Sequence, residues 1–171
     1  MRTMRLMIEK NEPFRFTIYG QPATKKNSST IVRGRSVLLP SKAYRLYESK
    51  FHRQLMDMRQ TMEIPHYHCP VELTCFYWLE SRAHWPDLIG LEQATADIMS
   101  DQYKTVDHKR QLHREWILSD DRIIKSWDGS RIVGIDKTNP RVEVTVTPLE
   151  IEPDEQDPYI LKMAAEHSRL F

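Results

Sequence analysis

The sequence predicts an α+β (α/β) single domain: a mixed β-sheet with two main helices. Three observations predict it. Tyr44, Tyr47, Phe51, Leu55, Met58 and Met62 recur at spacings of three and four, as on one face of a helix. Val71–Leu79 and Val142–Thr147 alternate in the two-residue period of a strand. A second helical pattern, Leu88, Leu91, Thr95, Ile98 and Met99, lies between these strands, so strands and helices alternate within one core.

The elements follow in order. Phe14–Ile18 alternates and is read as a strand, closed by Gly20-Gln21-Pro22. Thr24–Thr30 is polar without period, a loop. Ile31-Val32 and Val37–Leu39 flank Arg33-Gly34-Arg35 as a short basic hairpin, Gly34 supplying the turn. Ser41 is an N-cap for the first helix, which runs to about Met62. Pro65 prevents its continuation. The second helix takes Pro86 into its first turn. Residues 101–115, charged and weakly patterned, are read as an inserted loop or short helix. Trp116–Leu118 is apolar and leads to Asp120-Asp121, then a short strand at Ile123-Ile124. Asp128-Gly129 is a turn, and Ile132–Ile135 and Val142–Thr147 close the sheet. Residues 1–148 thus form the domain and 149–171 an acidic tail, with Tyr159, Ile160, Met163 and Ala164 at helical spacing.

With 171 residues the chain has room for one sizeable core and not for two. Its 40% apolar and 29% charged content is that of a globular protein. No apolar run approaches the roughly 20 residues of a membrane span, and the start lacks a signal-peptide stretch. Two cysteines make no disulfide framework, which fits a reducing cytoplasm, and the lack of an apolar span leads to the expectation of no membrane partner. The net charge of +1 conceals an asymmetry. Residues 1–60 carry 13 Lys/Arg against 4 Asp/Glu, residues 61–148 carry 10 against 14, and residues 149–171 carry 2 against 6. A basic first third suits a polyanion such as nucleic acid, and equally a solvated face neutralised nearby.

Four aspartates stand at the ends of elements or on the second helix: Asp87, Asp97, Asp120 and Asp121. Hard carboxylate oxygens suit Mg²⁺, with Mn²⁺ as a substitute, and such an ion activates water and offsets phosphodiester charge. The same residue types also serve as helix-start and turn residues. Ten helical residues separate Asp87 from Asp97, about 15 Å, so if both lie on one helix one ion cannot bind both, and Asp97 either approaches Asp120/Asp121 from the side or plays a structural part. Lys25, Lys26, Asn27, Arg33 and Arg35 form a basic loop and hairpin that either grip phosphates or are simply solvated. His66, His68, Cys69, Cys75 and His84 match no tetrahedral zinc spacing. No phosphate-cradling glycine motif is present.

Taken in order, several of these segments resemble the RusA family of Holliday-junction resolvases. They are Phe16–Pro22, Lys25–Ser28 with Leu39–Tyr44, Pro86–Leu91 with Asp97, Asp120–Ile124, Asp128–Arg131 and Asn139–Glu143. The likeness is to a phage-associated branch. It implies a Mg²⁺-dependent endonuclease, with Asp87, Asp120 and Asp121 as metal ligands and Asp97 in support. The partners implied are branched DNA (a four-way junction) and a second copy of the chain, in a bacterial or phage-infected cytoplasm. Ile89 stands where the family has a second acid, Gly90 where it has Asn, and Gln93 where it has Lys. Those departures raise an alternative of another class, a branched-DNA-binding protein that keeps the fold without the catalysis. Two symmetric cuts call for a homodimer, and Trp78, Trp85, Trp116 and Trp127 are more than one core needs.

Overall fold

The computed structural model describes residues 12–25, 27–32, 35–83, 85–150, 157–159, 161–162 and 165. Its centre is a five-stranded mixed sheet. β4 (Val71–Leu79) is flanked on one side by β9 (Arg141–Pro148), and β9 in turn by β1 (Phe14–Tyr19), all antiparallel. The other edge of β4 is shared by two short parallel strands laid end to end, β7 (Ile124–Ser126) and β8 (Arg131–Ile135). Between them the chain leaves the sheet, and Ser130 repairs the gap by accepting the Cys75 N–H at 2.9 Å. The Thr74 hydroxyl donates to the Asp128 carbonyl at 3.0 Å. Gly129 makes the turn with φ +74°, which glycine adopts without strain.

One face of β4 and β9 is wholly buried in strict alternation, and two helices cover it. α1 (Lys42–Met58) presents Tyr44, Tyr47, Phe51, His52 and Leu55 inward, as its spacing predicts. Ser41 caps it, its hydroxyl accepting the Tyr44 N–H at 3.2 Å. The helix stops at Met58 with Arg59 as C-cap, one turn before Met62. α2 (Leu88–Met99) buries Leu91, Ala94, Thr95, Ile98 and Met99. Asp87 is its N-cap, so Pro86 lies just outside the helix and not in its first turn. Trp116–Leu118 is fully buried and bridges to Tyr67 and Ser100 beneath the two helices.

Two expectations are corrected. Residues 27–30 are not loop: β2 (Asn27–Val32) pairs antiparallel with β3 (Arg35–Pro40) along six residues each. Residues 101–115 are neither a loop nor a helix. They contain β5 (Gln102–Val106) and β6 (Lys109–Arg114), a hairpin turned by Asp107 and His108 at φ 49° and 61°. Two consecutive left-handed residues match the right-handed twist of paired strands, so the turn closes the ribbon tightly. The pattern concealed it because β6 is exposed along its whole length, so neither face needs apolar alternation. In the tail, residues 158–159, 161–162 and 165 are helical, while Ile160, Met163 and Ala164 lie outside the described residues. No helix of the described residues is long and apolar enough to cross a membrane.

Candidate functional site

The four aspartates divide between the two ends of α2. At its start the Asp87 carboxylate accepts the Gly90 N–H at 2.6 Å, satisfying one of the free donors of the first turn. Gly90 is needed there. A Cβ on it would stand 2.7 Å from Asp87 Oδ1 and 2.9 Å from the Thr24 methyl. Thr24 belongs to an open cleft of about 440 Å³ whose lining includes Gln21, Pro22, Glu80 and Pro86.

Towards the end of α2, Asp97 meets the loop after β1. Lys25 donates to its carboxylate at 2.7 Å, and the lysine ammonium also lies 5.8 Å from the Tyr44 ring centroid. Asp120 and Asp121 arrive on the same side from the buried Trp116–Leu118 segment. Asp120 Oδ1 accepts the Arg122 N–H at 3.0 Å and so starts a single 3₁₀ turn, Asp121–Ile123. That turn is pinned by Ile123, which is fully buried. The Asp121 carboxyl is held above the usual range. Partial burial is the leading cause, then a hydrogen bond and charge repulsion from Asp120, then the charge of Asp97, against which Arg122 acts. Asp97, and not Asp87, is therefore the α2 carboxylate that acts on the Asp120-Asp121 pair.

Glu48, on α1, is a fourth carboxylate of this group that the sequence reading did not single out. Burial raises its carboxyl, Lys25 opposes the rise and Asp97 adds to it. The sequence carried a signal for it, a charged residue one turn after Tyr44 at the edge of the apolar stripe. Burial also raises the Tyr44 hydroxyl, with Glu48 and Asp97 adding to the effect. The C-terminal segment closes over the far side. The Arg122 side chain lies 3.8 Å from the Asp157 carboxylate and 4.9 Å over the Tyr159 ring.

Of the basic residues singled out in the sequence, Lys25 joins the acidic group. Asn27 opens β2 and Arg35 opens β3. Lys26 and Arg33 lie outside the described residues. Among the described residues no three His, Cys, Asp or Glu side chains form a ready metal-ligand group. The arrangement is an α+β domain in which Lys25 pairs with Asp97, and the charges of Asp120 and Asp97 act on Asp121. No protein-family model matches the chain, and no match to a curated protein is found.

Proposed function

We propose that the chain is a Mg²⁺-dependent, structure-selective DNA endonuclease that resolves four-way junctions as a homodimer. The setting would be recombination and repair, of phage or prophage origin, as its resemblance to the RusA family implies. The observation that supports this reading is the Lys25–Asp97 ion pair at 2.7 Å, with the charges of Asp120 and Asp97 acting on Asp121. Their donor set fits Mg²⁺: it is all hard oxygen, and this ion takes only one or two protein carboxylates while keeping several waters. Burial first, then the hydrogen bond and charge of Asp120 and the charge of Asp97, raise Asp121, so its ionised form would gain from a cation.

Asp120 and Asp121 would hold the ion, with Asp97 alongside. When bound, it supplies a water of lowered pKa and offsets the charge on a phosphodiester. Lys25 neutralises Asp97 and keeps further N–H donors for a backbone phosphate, since an ammonium has three. The 3₁₀ turn fixes Asp120 and Asp121 on a short rigid support. Asp87, which the family resemblance makes a further ligand, uses Oδ1 for the helix cap and keeps Oδ2 for this role.

A second reading, a DNA-binding protein without catalysis, is favoured by one observation: Ile89 is 77% exposed at the position where the family has an acid. Incubation with a synthetic four-way junction, with and without Mg²⁺, separates the two. Paired symmetric nicks that need Mg²⁺ are expected. Junction binding without nicking, in Mg²⁺ and in Mn²⁺, would leave the second reading standing.

A further inference from the structure

The β5–β6 hairpin stands off the sheet and contributes nothing to the buried core. Residues 102–114 hold four Lys/Arg and one acid, a net +3 in a chain of net +1. Its register assigns its two faces. Lys104 pairs with Gln111 and Val106 with Lys109, and cross-strand partners project to the same side. Tyr103 pairs with Leu112 and Thr105 with Arg110 on the opposite side.

That opposite side is backed by the C-terminal segment. Arg110 donates to the Tyr159 hydroxyl at 2.9 Å, and its guanidinium lies 3.8 Å over the Tyr103 ring. The Lys104/Lys109 side faces away. Both lysines are exposed, and neither forms an ion pair among the described residues.

We propose that this hairpin is a docking element for duplex DNA, entering the major groove of one arm with its Lys104, Lys109 and Gln111 side. The inference rests on the reading that the substrate is DNA, and it adds a contact which that reading lacks. A two-stranded antiparallel ribbon fits a groove about 12 Å wide. Five paired residues at about 3.3 Å each span on the order of 17 Å, enough to follow it for half a turn. The two lysines meet the flanking phosphates, and the Gln111 amide reaches base edges, where Gln pairs with adenine. The ribbon is a positive patch within residues 61–148, a stretch that is acidic as a whole.

The test is a salt series of binding by fluorescence anisotropy, on a 25-base-pair duplex and on a four-way junction. The intact chain is compared with the Lys104→Ala/Lys109→Ala variant. Both sites are exposed, so an unchanged melting temperature is expected. The slope of log K against log salt should fall by about two units on both DNAs. An unchanged slope with the parent still binding overturns the ribbon and leaves the nuclease reading intact. Failure of the parent to bind either DNA overturns the functional reading itself. Binding through the ribbon without any junction cleavage would defeat the catalysis alone. Double-stranded RNA should compete poorly, because its major groove is deep and narrow. Equal competition by RNA would overturn the groove contact.

Discussion

Asp121 carries two demands in conflict. Burial, Asp120 and Asp97 all favour its neutral form, while the metal-ligand role proposed for it would require the ionised form. The folded state thus holds this proton more tightly than the unfolded chain. Stability contributed by the protonated form is present below the unfolded value and is lost as pH rises through the folded one. At neutral pH the ionised carboxylate is a net cost to the fold. Asp121→Asn should therefore melt higher than the parent at pH 7, and the difference should vanish below about pH 3.8, where both side chains are neutral. Junction cleavage by the same variant should fall at least about 100-fold while binding persists. Thermal melts at the two pH values, with a single-turnover cleavage assay, check both halves. A variant of lower melting temperature at pH 7 with full activity would remove Asp121 from the site. His52 shows the opposite sign. Burial lowers its pKa, and the neutral ring stacks on Trp116 at 3.8 Å while Nε2 donates to the Ile98 carbonyl at 2.8 Å. Its share of stability is lost on acidification.

At the scale of elements, α1, β4 and β9 were legible because each buries one face, and burial is what writes a period into sequence. The β5–β6 ribbon was not, since β6 is exposed along its length and is free to be polar on both sides, and Asn27–Thr30 of β2 carry no apolar period to mark a strand. The aspartates were legible as residues, and helix geometry left an approach of Asp97 to Asp120-Asp121 as one of two options; what the sequence did not decide was between them. Pairing Lys25 with Asp97 takes a contact across 72 positions, which no local pattern records. The start of α2 offers a further test. Alanine is ordinarily better than glycine in a helix by about 1 kcal/mol. At Gly90 the order should reverse, because the new Cβ collides with the Asp87 cap and with Thr24. Gly90→Ala should lower the melting temperature. Asp87→Asn, which keeps a good capping side chain, should leave it nearly unchanged and reduce cleavage through the lost ligand charge. A stabilised Gly90→Ala variant would show that the loop at Thr24 yields freely.

For the whole molecule, the question is the number of copies at work. The proposed reaction has two symmetric strands to cut, and one carboxylate group would attend to one of them. A two-fold homodimer would supply the second group. The four tryptophans divide in a way that fits. Trp116 is completely buried, Trp127 packs partly against the core, and Trp78 lies half-buried beneath Arg141, whose guanidinium is 4.6 Å from its ring. Trp85 is 51% exposed, and Ile89, at the same end of α2, is 77% exposed. Two large exposed apolar side chains four residues apart are what a subunit contact would cover, and Trp is enriched among residues that dominate binding energy. The chain should sediment as a dimer at micromolar concentration. The double variant Trp85→Ala/Ile89→Ser should raise the dimer dissociation constant at least about tenfold, some 1.4 kcal/mol, without lowering the melting temperature of the monomer. In cleavage it should convert paired cuts into single nicks. A dimer unaffected by the double variant would place the contact elsewhere on the surface. A chain that remains monomeric, both free and on junction DNA, would rule out paired cutting by two copies.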